Sequence, residues 1–250
     1  MFRLLKLKPP NGWGAVAWEL GIVTLGVLVA LGAQQVVEVL HDRSTAAETR
    51  ADVTDELNSD LMSIVLRQSI EPCVERRLAE LRAIMGEWER TGSFETPKWV
   101  SQSPPIEIEL SRYDAALSAG RLALLSGEEQ YRMGAVAVRI RKFNEWQFAE
   151  RVPWGRLRAL QAGADALSAD DRAAIRTALQ DAATFDYETK VNSAQAVGMA
   201  RRYGFKPDAR GFRELAPGVW PGGKFAPSIC LSIKTPPQEA NKTVVIPLPL

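Results

Sequence analysis

The sequence predicts an all-α protein built from an N-terminal transmembrane helix, an antiparallel helical bundle and an irregular Pro/Gly-rich C-terminal arm. Three observations predict it. Between Lys8 and Glu38 the only formal charge is Glu19, over a stretch longer than the roughly 20 helical residues that a bilayer core requires. Apolar residues then recur at spacings of three and four as far as Tyr203, with no strand-like alternation of any length between them. From Gly204 onward, eight of the 15 prolines exclude a helix of any length. The expected divisions are 1–12 as a cytoplasmic tail, 13–38 as the membrane helix, 39–203 as an extracytoplasmic bundle and 204–250 as the arm.

The membrane segment has its most apolar run at 20–33, and Trp13 and Trp18 stand where interfacial aromatics are expected. Arg3, Lys6 and Lys8 precede it, whereas His41, Asp42 and Arg43 follow with little net charge, so the positive-inside rule puts the N-terminus in the cytoplasm. In a Gram-negative host this is a single-pass inner-membrane protein with a periplasmic domain. The rival reading is a cleaved signal peptide ending near Ala30-Leu-Gly32. Pro9-Pro10, Glu19 and an apolar run continuing through Val36 and Val37 favour a retained anchor, and either way the domain is exported. An ionisable residue in a span is a functional candidate, although Glu19 is near enough to the interface to reach water. Glu19, Gly26 and Ala30 share a helical stripe that is a candidate packing face; the plainer explanation is that Gly and Ala are common in membrane helices.

The pattern of Glu19, Ile22-Val23, Gly26-Val-Leu-Val-Ala-Leu31 and Gln34-Gln35 resembles the N-terminal signature of a family of uncharacterised bacterial single-pass membrane proteins, a domain of unknown function. In that family a Glu precedes a Gly-Ile-Leu-Ile-Ala-Leu run closed by two Asn and a Trp. Here Gln34-Gln35 replace the amides and Val36 the aromatic, and the likeness covers about 25 residues. It implies an anchor followed by a helical extracytoplasmic domain, and no activity.

The bundle follows from periodicity. Over 44–69 there is no Pro or Gly, and Val53, Leu57, Leu61 and Val65 recur every fourth residue, so the membrane helix is free to run on into this one. Pro72 restarts the chain, and Val74, Leu78, Leu81, Met85 and Trp88 form a second stripe ending at Thr91-Gly92. After a Pro/Ser loop at 96–105, a third helix is expected over 106–125. Ser126 to Glu129 reads as a capping box opening a fourth, with Met133, Val136, Ala137, Ile140 and Phe143 inward. Pro153 and Gly155 mark a turn or kink before a short helix with Trp154, Leu157 and Leu160. Ser168 to Asp171 is a second capping signal, and the stretch to Tyr203 is the longest Pro-free run in the domain, with Ile175, Leu179, Ala182 and Phe185 in phase.

In the arm, Val219, Trp220, Phe225, Ile229 and Leu231 are apolar enough to pin it to the bundle, and the final residues from Thr243 suit an extended conformation. Cys73 and Cys230 are the only cysteines, and an even count in an exported domain favours a disulfide tying the arm to the bundle; the alternative is two buried thiols.

Composition excludes several functions. Lys+Arg 31 against Asp+Glu 30 leaves no electrostatic footprint for nucleic acid or anionic lipid. His41 is the only histidine and lies beside the membrane, so no catalytic triad or tetrahedral metal site is built from it, and no cofactor or metal is expected. Carboxylate pairs at Glu107 and Glu109, Glu128 and Glu129, and Asp170 and Asp171 read as helix starts and solvated faces. Trp146, Arg139 and Trp154, with Phe148, Arg141, Arg151, Arg156 and Arg158 nearby, are the candidate site for an anionic or planar ligand. The alternative makes the aromatics core and the arginines a solvated face paired with Glu145 and Glu150. The expected role is a structural or interaction module of the cell envelope, joined to itself or to another envelope protein through the anchor helix. A ligand-binding sensor working through a membrane partner is the second expectation, and enzymatic activity is not expected.

Overall fold

A single helix, α1, runs without a break over Gly12–Ser69. The computed structural model describes residues 12–103, 106, 108–208, 224–225, 228–236 and 246–247. At 1.5 Å per residue α1 is about 87 Å long, and its first thirty or so residues stand clear of the other described residues. There Trp18, Leu20, Val23, Leu25 and Val37 are exposed, Trp18 at 72 %. An 18-residue window of this part has a mean hydropathy of 2.0 and none of it is buried, so it is long and apolar enough to cross a membrane. From Ala46 the same helix enters the bundle, with Val53, Leu57, Leu61, Ile64 and Leu66 buried.

Pro72 acts as expected. Helix α1 stops at Ser69, and α2 (Glu71–Thr91) begins at once with proline in its first turn, where a missing N–H matters least. It buries Val74, Leu78, Leu81, Met85 and Trp88 and ends on Gly92 in the left-handed conformation. The third helix is shorter than expected. Helix α3 covers only Ser111–Ser118, and a 3-10 turn follows at Arg121–Leu124. Gly120, at φ +70, breaks the run, and on the other side Ile106 is bound at both backbone groups by the Gln147 side chain, which substitutes for helical partners. Both capping boxes form, Ser126 with Glu129 opening α4 (Gly127–Ala149) and Ser168 with Asp171 opening α6 (Ala169–Arg202). Between these helices lie α5 (Arg151–Leu157) and two 3-10 turns.

Two apolar cores result. One gathers Leu66, Val74, Leu78, Leu81, Trp88, Trp154, Leu157, Ile175 and Leu179, and the other Val53, Leu57, Leu61, Tyr113, Val136, Ile140, Phe143, Ala196 and Phe205. All the inward residues expected for α4 are buried, while Val65 and Phe185 are only half-buried.

Three short stretches of the arm beyond residue 208 are described in contact with the bundle or with each other. Ile229, Cys230 and Ile233 join the first core, and β1 (Lys224–Phe225) pairs antiparallel with β2 (Ile246–Pro247), an extended element close to the chain end as expected. The tail with Arg3, Lys6 and Lys8, the side chains of Trp13 and Phe225, and Glu107, Val219 and Trp220 lie outside what is described.

Candidate functional site

The two cores are separated by a buried polar layer, and its centre is a charge cluster. Arg67 is in the last turn of α1, where a cation suits the helix C-terminus, and Glu71 is in the first turn of α2, where an anion suits the N-terminus. The break at Ile70 keeps the two one turn apart, and Arg67 donates to Glu71 at 2.6 Å. Arg67 also meets Glu150, at the joint between α4 and α5, at 3.3 Å, and Asp186, in the middle of α6, at 3.4 Å. The Trp154 indole N–H donates to Glu150 at 3.1 Å. Gln68 to Ser193 at 3.2 Å, with buried Thr189 and Asn192, extends the layer along α6.

Arg67 is 1 % exposed, so its three carboxylate neighbours carry its charge with almost no help from solvent. Burial opposes its charged form, but Glu150, Glu71 and Asp186 together hold its pKa above the usual range. Burial raises all three carboxyls, Glu71 to about 7, and Arg67 only partly offsets this. Glu71 and Asp186 share the Arg67 guanidinium, and the charge on Asp186 adds to the upward push on Glu71. Arg67 Nε and Glu71 Oε1 are buried and have no hydrogen-bond partner among the described residues.

Two further polar devices hold the surroundings. Glu56, on α1, accepts from the backbone N–H groups of Arg112 and Tyr113, each at 2.7 Å, and so caps α3, whose own N-cap residue Leu110 has no capping side chain. One turn on, burial and then the Glu56 charge push Asp60 up to about 8, against the pull of Arg112. Arg77, fully buried, donates to the carbonyls of Trp99 at 2.9 Å, Val100 at 2.5 Å and Leu231 at 2.6 Å and to Glu80 at 2.8 Å. Arg76 reaches the Cys230 carbonyl at 2.5 Å. Beside them Cys73 and Cys230 sit at disulfide distance, their Cα atoms 4.7 Å apart, as the cysteine count led one to expect.

The aromatic and arginine candidates are not brought together. Trp154 is fully buried in the first core, while Trp146 is half-buried on α4 against Phe185, with Lys142 over its ring at 5.0 Å. Arg139 donates to Gln195 at 2.7 Å, and Arg141 pairs with Asp114. The pairing expected with Glu145 and Glu150 does not form, since Glu145 takes Lys142 and Glu150 takes Arg67. Glu19, Gly26 and Ala30 are exposed on the protruding part of α1, as is His41. Two surface recesses, of about 200 Å³ between α1 and α3 and about 350 Å³ between α3 and α4, include none of Trp146, Arg139 or Trp154 in their walls. Among the described residues no group of three metal-ligating side chains is close enough to hold an ion.

The cluster was missed in the sequence although a signal for it exists. Continuing the α6 stripe of Ile175, Leu179 and Ala182 reaches Asp186, Thr189 and Ser193, polar residues at core positions, and Arg77 falls beside Leu78 on the buried face of α2. In comparisons with known proteins the chain matches no family model, no curated protein and no solved structure.

Proposed function

We propose that this chain is a single-pass inner-membrane protein whose periplasmic bundle is a structural or protein-interaction module of the bacterial cell envelope, associating with itself or with another envelope protein through the anchor helix. The observation that carries the reading is α1, an exposed apolar half continuous with a half that forms the core of the bundle. A helix of that kind has no flexible linker, so a force or contact at the anchor is transmitted directly to the domain. Its apolar half spans more than the hydrocarbon thickness of a bilayer, and exposed to water it would be a large unpartnered apolar surface. The basic residues Arg3, Lys6 and Lys8 support a cytoplasmic N-terminus, and cysteines at disulfide distance suit an oxidising compartment. The likeness of 19–36 to the single-pass family points the same way. Two apolar cores hold the helices together, and neither recess beside α3 includes the aromatic candidates in its walls, which favours an interaction role over a ligand-binding sensor.

The test is membrane fractionation followed by crosslinking and co-purification, with mass measurement of the mature N-terminus. The expected result is an intact N-terminus in the membrane fraction and a crosslinked species that weakens in Gly26→Leu and Ala30→Leu variants. Cleavage near Gly32, or recovery only as a monomer with no consistent partner, would overturn the reading.

A further inference from the structure

The charge cluster occupies the point where the α1–α2 joint meets the α4–α5 joint, and its charges do not balance. One guanidinium faces three carboxyls, so full ionisation would leave two uncompensated negative charges around a residue 1 % exposed. Uptake of a proton relieves such an excess, and two adjacent carboxyls are the natural place for it. Glu71 Oε2 accepts from Arg67 at 2.6 Å, Glu71 Oε1 is buried with no donor, and Asp186 is held on the same guanidinium at 3.4 Å. We propose that the Glu71–Asp186 pair is a proton-binding site that, when occupied, holds the joint between the long α1 and the rest of the bundle closed, and that loosens this joint when it loses its proton. The proposal goes beyond the envelope role and does not depend on it.

The charged groups facing the pair are few. Helix α1 presents Arg67; α2 presents Glu71 and Glu75; the α4–α5 joint presents Glu150, bound to the Trp154 N–H of α5; and α6 presents Asp186 and Lys190, the latter paired with Glu75 at the edge. Lys190 also feels Glu71 and Asp186, but the Glu75 carboxylate it pairs with offsets its charge and leaves the excess negative charge in place. A rise of the Glu71 carboxyl to about 7, caused first by burial, agrees with this geometry. An acid whose folded pKa lies above its unfolded one binds more protons when folded. Stability is thus greatest below the unfolded value and falls as pH rises through about 7.

The test is urea unfolding of the full chain in detergent between about pH 5 and about pH 8.5, in an Asp60→Asn background that removes the raised carboxyl outside the cluster. The folding equilibrium constant is expected to fall on the order of a hundredfold across that range, and most of the fall is expected to vanish in Glu71→Gln, which is permanently neutral. Should Glu71→Gln fail to fold, the infrared band of a protonated carboxyl at about pH 6, lost by about pH 8.5 and retained when Glu150→Gln is added to the Asp60→Asn protein, carries the same information. A pH slope unchanged by Glu71→Gln, or no protonated-carboxyl band at about pH 6, overturns the proposal.

Discussion

Removing the bond between Cys73 and Cys230 gives the sharpest test of how the arm is held. The two residues are 157 positions apart, so in the chain-entropy treatment the cross-link restricts the unfolded chain by about 5 kcal/mol. The folded chain keeps its other ties to the arm when both are changed to Ser. Arg77 still binds the carbonyl of Leu231, Lys98 and Trp99 still donate to the carbonyl of Ile233, and Ile229 and Ile233 remain in the core. The variant should therefore fold, and be weaker. With a urea dependence of about 2 kcal/mol per molar, the midpoint should drop by roughly 2.5 M, read from the fluorescence of the buried tryptophans in detergent-solubilised protein. Either single serine variant should match the double one, because either breaks the bond. A midpoint shift under about 0.5 M, or alkylation of both thiols in protein isolated without reductant, would refute the reasoning.

Arg77→Met should lower stability by about 3 kcal/mol or more, because the carbonyls of Trp99, Val100 and Leu231 lose their donor together, and limited proteolysis should cut the arm faster; unchanged proteolysis would mean that the disulfide and the arm's other contacts hold it without Arg77. Gly163→Ala should lower stability by about 1–3 kcal/mol in thermal unfolding, since Gly163 has φ +86 and ψ 161, a region nearly closed to other residues, and a Cβ there would stand 3.0 Å from Thr96 Oγ1. Trp146→Ala should lower the melting temperature by several degrees, equivalent to about 2 kcal/mol, through lost packing on Phe185; a melting temperature that does not move would return Trp146 to the role of ligand contact.

Local signals were readable wherever the residues concerned act within one element. The charge-free apolar run, the restart at Pro72, the two capping boxes and the stripe on α2 depend on neighbours three or four residues away, and the structure reproduces each. The third helix was overestimated for the same reason in reverse. Its apolar pattern is real, but Gly120 and the grip of Gln147 on Ile106 decide its ends, and the second of these comes from a different helix.

By itself the sequence determined that the chain is all-α, that its first helix is apolar enough for a membrane, and that two cysteines are available to tie the arm down. Only the tertiary structure decided that Arg67, Glu71, Glu150 and Asp186 form one buried group, that Arg77 holds the arm by its carbonyls, and that Trp154 is core while Trp146 faces α6. The physical reason is range. Periodicity, caps and turn residues act over one or two helical turns, whereas Arg67 is 83 positions from Glu150 and 119 from Asp186. A charge placed on a buried face looks like an interruption of the pattern until the packing of four helices supplies its partners.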